Sequence, residues 1–120
     1  MSKDLRVLFC ISVKQNFMDA TGEVQLDVWK AFSTMMREMT DMQGIDMLGM
    51  LDDDRSMVGS SVGWPHTAFF MADCDSYQTV TDACNLFRTI PVGDGTYKLW
   101  KYCGVETRIG RALQPPQQAV

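Results

Sequence analysis

Across residues 5 to 13, LRVLFCISV, side chains of different character alternate. Leu5, Val7, Phe9, Ile11 and Val13 form one set, and Arg6, Leu8, Cys10 and Ser12 the other. A period of two in a β-branched, aromatic stretch predicts a strand, with the odd set as its greasier face. After DATGE the period changes. Val28, Phe32, Met35, Met36, Met39 and Met42 recur at three- and four-residue steps, while Asp27, Lys30, Arg37, Glu38 and Asp41 fall mostly opposite. That spacing predicts an amphipathic helix of about five turns. Thr21 or Asp19 is positioned to cap its start and Gly44 to stop it.

IDMLGML, residues 45 to 51, reads as a short strand that runs into the charged cluster DDDR. The polar, glycine-containing SMVGSSVG is a loop, and HTAFFMAD is the next strand, with Pro65 at its entrance, where a missing N–H is harmless. Asp75 or Ser76 caps a second helix whose stripe is Val80, Ala83, Cys84 and Phe87 and which ends near Pro91. GDG turns the chain into a last strand, YKLWKYCGVETRIG. There Tyr97, Leu99, Lys101, Cys103, Val105, Thr107 and Ile109 alternate with Lys98, Trp100, Tyr102, Gly104, Glu106 and Arg108. Residues 1 to 113 make one domain, and 114 to 120 are a frayed tail.

The order β-α-β-β-α-β is that of the α+β, ferredoxin-like split βαβ fold: a four-stranded antiparallel sheet with both helices on one face. The opposite face would then carry Leu8, Cys10, Trp100, Tyr102 and either Phe69 or Phe70. That is more contiguous apolar surface than a monomer usually leaves bare. A second copy, sheet against sheet, would cover it and enclose a cavity, giving a homodimeric α/β barrel. The alternative is a monomer with a wet, partly aromatic sheet face.

Composition narrows the partners. The formal net charge of -4 argues against nucleic acid. The uncharged runs are far shorter than the roughly 20 residues of a membrane span, and MSKDLRVLF lacks the apolar core of a signal peptide, so the expected location is the cytoplasm. Cys10, Cys74, Cys84 and Cys103 are scattered singly, without the spacing of a zinc site, and neither metal nor cofactor is expected. The helix methionines fit a buried stripe, and adjacent aspartates in DDDR lack calcium-loop spacing.

The candidate chemistry centres on His66, the only histidine, just after a Gly-Trp-Pro turn. An imidazole changes charge near neutral pH and suits proton transfer, with Glu106 or one of Asp52, Asp53 and Asp54 to orient its ring. Both parities of HTAFFMAD are apolar, so the pattern leaves open whether His66 faces the helices or the cavity. Trp100 and Tyr102, with Trp64 near the strand mouth, form a candidate sandwich for a planar aromatic ligand. Arg108 or Arg6 would pair with the ligand's carboxylate, because guanidinium matches that group in a bidentate fork. The same aromatics equally suit the core of a dimer interface.

VLFCISV, LDDDRSMVG, GWPHTAFFMAD and NLFRTIPVGDGTYKLWKYCGVETRIGRAL resemble a family of small proteins encoded in bacterial indole-3-acetic acid catabolic clusters, within the dimeric α/β-barrel superfamily. The likeness spans residues 5 to 113. It implies the ferredoxin-like fold and a link to aromatic catabolism or secondary metabolism, and it brings no established catalytic residues. The expectation is a protein that binds an indolic or other small aromatic acid. As an enzyme it would be a cofactor-independent isomerase, cyclase or monooxygenase; the alternative is a non-catalytic accessory that binds a metabolite or a partner enzyme.

Overall fold

The computed structural model describes residues 2–59 and 65–116. Strand β1 (Leu5–Val13) leads through a helical turn, α1 (Gln15–Met18), into the long helix α2 (Gly22–Asp41). The antiparallel pair β2 (Ile45–Asp52) and β3 (His66–Cys74) follows, and then helix α3 (Tyr77–Thr89). The chain closes with a small hairpin, β4 (Pro91–Val92) and β5 (Tyr97–Lys98), a 3-10 turn over Leu99–Lys101, and β6 (Cys103–Gly110). β2, β3, β1 and β6 lie in that order in one antiparallel sheet. The molecule is thus an α+β protein with a four-stranded antiparallel sheet, an order compatible with the ferredoxin-like arrangement.

Local chemistry sets the helix starts. The Thr21 side chain accepts the Val24 N–H at 3.3 Å, and Ser76 accepts the Thr79 N–H at 3.1 Å, so each helix has a polar cap at the expected position. Gly44 follows α2 with φ of +93°, and a Cβ there would stand 2.8 Å from the Asp75 carboxylate oxygens. Only glycine fits that approach, which brings the start of β2 beside the end of β3, where the Asp75 N–H donates to the Gly44 carbonyl at 3.0 Å.

Both helices cover one face of the sheet. Val7, Phe9 and Ile11 of β1 meet Val28, Ala31, Met35 and Met39 of α2 and Val80, Ala83 and Phe87 of α3. The expected odd face of β1 is therefore the core face. The methionine stripe is core filling where it is deepest, with Met35 and Met39 fully buried.

One expected element is replaced. The last strand does not run from Tyr97 to Ile109; the 3-10 turn interrupts it, and regular pairing with β1 begins at Cys103. The reason lies in burial. Leu99 and Tyr102, three apart, both enter the core, and a 3-10 turn places residues three apart on one side where a strand cannot. The turn is anchored on both sides: the Leu99 N–H donates to the Ile90 carbonyl at 2.9 Å and the Lys14 N–H to the Tyr102 carbonyl at 2.8 Å.

Two bulges decide which way side chains point. Leu48 is the extra residue between the pairs Met47–Ala72 and Gly49–Met71. Thr67 is the extra residue between Ile11–Ala68 and Ser12–His66. Because a strand alternates strictly, each insertion sends the residues beyond it to the opposite face.

Candidate functional site

The sheet divides the candidate chemistry into two compartments. On the open face, cross-strand partners of Leu8, Cys10 and Ser12 of β1 are Met71, Phe69 and His66 of β3, and Arg108, Glu106 and Gly104 of β6. By plain alternation His66 would share the helix face with Ala68 and Phe70. The Thr67 bulge instead brings it beside Ser12, with its Nε2 3.6 Å from Glu106 Oε2. His66 is only 5% exposed although it sits on the side away from the helices. Arg108 Nη1 lies 3.9 Å from the same Glu106 oxygen. Of the acidic residues weighed for His66, Glu106 is the one that lies near it, and Asp52 to Asp54 line the cavity on the helix side.

Cys10 occupies the middle of this face with no exposed surface. Burial pushes its thiol up, opposed by the Arg108 charge and reinforced by Glu106. Arg6 is at the far end, committed to Asp73 through a two-pronged contact: Nε to Oδ1 at 2.6 Å and Nη2 to Oδ2 at 3.2 Å. The bond to Arg6 holds the Asp73 carboxyl below its ordinary range. A guanidinium so occupied is a poor receptor for a second carboxylate.

The expected aromatic sandwich does not form on this face. Tyr102 is buried in the helix-side core, and Trp100 projects from the 3-10 turn at the sheet's end, where the Arg88 guanidinium stacks 4.6 Å from its ring centre. Lys101 lies 3.3 Å from the Tyr97 ring centre. Trp64, the third member, lies outside the described residues. The alternating pattern that placed Trp100 and Tyr102 together failed because the strand it assumed is broken between them and β6.

The second compartment is one the sequence pattern did not single out. Between α2 and the helix face of the sheet lies a cavity of about 800 Å³. Its floor is Ile11, Val28, Phe70 and Cys103, all buried, and Phe32 and Met36 of α2 form a wall. Its rim carries Met18, Trp29, Met50 and Leu51 together with Asp52, Asp53 and Asp54. Trp29 meets Phe32 edge to face at 6.1 Å, and Phe32 meets Phe70 at 6.0 Å, so aromatic rings run from the rim to the floor. The Asp53 N–H donates to the Thr67 carbonyl at 2.9 Å, fixing the aspartate run beside β3. The clue in the sequence was Trp29 itself: it stands next to the Val28 stripe, and no strand or helix rule requires a tryptophan at a helix position that remains 55% exposed.

The chemistry available in the cavity is restricted. Among the described residues its lining contains three aspartates, Thr67 and Cys103 as polar groups and no lysine, arginine or histidine. Burial raises the Cys103 thiol to about 11, and Cys74 also reaches about 11 by burial, with neighbouring aspartates adding to it. Neither is a thiolate nucleophile near neutral pH. Among the described residues no group of three or more His, Cys, Asp and Glu is arranged to hold a metal ion, and no helix is long and apolar enough to cross a membrane. Comparison with protein-family models and with curated proteins finds no match for this chain.

Proposed function

We propose that this protein binds a small planar aromatic metabolite between α2 and the sheet, as a cytoplasmic homodimer whose open sheet faces pack together in a ferredoxin-like α/β barrel. The observation that carries the reading is the cavity. Its volume of about 800 Å³ falls within the range of small-molecule sites, and its wall of Phe32 and Met36 over Phe70 suits a flat ring better than a sugar or a nucleotide. The dimer is supported by Leu8, Phe69 and Met71, apolar groups of the face that the helices leave uncovered, set beside the charges of Arg108 and Glu106.

Light scattering measures the mass and calorimetric titration with indole and naphthalene measures the site. A dimer that binds either ring with saturation supports the reading. A monomer removes the barrel, and a dimer that takes up neither ring removes the ligand.

The approach of His66 to Glu106 favours a second reading, in which the protein also catalyses cofactor-free proton transfer within the dimer. His66→Ala separates the two. Loss of turnover with dimer mass and ring binding intact assigns catalysis to the imidazole. Absence of turnover in the native protein across indolic and phenolic substrates leaves a non-catalytic binding accessory.

A further inference from the structure

We infer that the ligand of the helix-side cavity is an organic cation, an aromatic ring bearing an ammonium group, and not an aromatic acid. This rests on the reading that the cavity takes a planar ring, and it specifies what that ring carries. The argument begins with charge. Asp52, Asp53 and Asp54 all lie on the rim, all are exposed, and none has a lysine or arginine partner within 4.0 Å among the described residues. The arginines expected to hold a carboxylate are on the other face of the sheet: Arg6 is bound to Asp73, and Arg108 lies beside Glu106. Among the described residues that line this cavity, an anionic ligand meets three like charges and no lysine or arginine; Arg55 follows Asp54 outside the lining, and Lys14, whose charge is felt at Cys103, is spent on the Trp100 carbonyl at 2.7 Å.

The rings supply a second, independent reason. Trp29 lines the same opening as the aspartates, and its neighbour Phe32 continues inward. Aromatic faces attract ammonium groups, aromatic side chains recognise organic cations by that attraction, and nearby carboxylates add a charge of opposite sign. The apolar floor then takes the ligand's ring while the rim holds its charge. The geometry places both halves of an amphiphilic amine in one opening.

Three probes with one ring test this: tryptamine, 3-methylindole and indole-3-acetate, titrated calorimetrically into the full chain at low and high salt. The expected result is tryptamine about tenfold tighter than the neutral ring, the acid weakest, and the gap between them narrowing as salt screens the rim. Asp52→Asn, Asp53→Asn and Asp54→Asn together should erase the preference while 3-methylindole binds as before. The asparagines keep the size of three exposed side chains. Should that variant fold poorly, the salt series on the native protein gives the same answer. Failure of all three probes to bind overturns the ring site itself. Binding of 3-methylindole with tryptamine no tighter, or with the acid tighter, overturns only the cation.

Discussion

Phe69 and Phe70 are neighbours in β3, yet they belong to different environments. Phe70 is 2% exposed beneath α2 and meets Phe32 at a tilt, whereas Phe69 lies half-buried on the open face between Cys10 and Leu51. The helix face is closed by its own chain, so its order depends on dense side-chain contact within one molecule. The open face mixes aliphatic groups with His66, Glu106, Arg108 and the Arg6–Asp73 pair, and the helices do not cover it. Hydrophobic content alone does not separate these faces; what separates them is whether the same chain supplies the cover. A cavity survives on the covered side because α2 leaves the rim near Trp29 open, while the uncovered side is the one proposed to meet a second copy.

The largest effect should come from emptying the covered side. Phe70→Ala is expected to lower unfolding free energy by about 3–5 kcal/mol, the usual range for a fully buried phenylalanine, with Phe69→Ala costing about 1 kcal/mol by the same urea titration. Equal losses would break the distinction between the faces. Next comes charge on the open side. Met71→Glu places a carboxylate among the groups proposed to meet a second copy and should weaken the dimer at least about thirtyfold by light scattering, with the urea midpoint of the dissociated chain little changed. An unaltered mass would mean that this face is not the interface.

The smallest effect concerns Asp73. Its carboxyl titrates below the ordinary range because Arg6 binds the charged form, so its contribution is fully present above about pH 4 and is lost as pH falls through its lowered value. Asp73→Asn should therefore flatten the acid side of a stability-against-pH curve and leave the neutral side almost level. The effect stays small because the pair is partly exposed. A change confined to neutral pH would show that Asp73 acts through something other than this pair.

Much of this arrangement is readable in the sequence, and the parts that are not share a cause. The odd face of β1, the stripe of α2, both N-caps and the antiparallel order follow from periodicity and capping, which act within a few residues. The site was less legible because it depends on where periodicity is interrupted. Neither Thr67 nor Leu48 is marked as an insertion by its side chain, and the break at Leu99–Lys101 reflects the demand of Leu99 and Tyr102 for the same core. Strict alternation therefore misplaces Tyr102, which lies in the helix-side core, and Trp100, which projects from the turn against Arg88. The cavity went unseen because Trp29, Phe32 and Phe70, though ordinary in their own elements, become a site only when α2 crosses the sheet.

The bulge at Thr67 acts as a one-residue switch between two inheritances. Were Thr67 paired in regular register with Ser12, the strands, helices and composition would be the same, but the sole imidazole would turn to the face of Ala68, whose partner across the sheet is Asp52, and away from Glu106. The imidazole thus changes sides by one place of register, with no residue gained or lost, whereas deletion of Thr67 would leave it opposite Ser12.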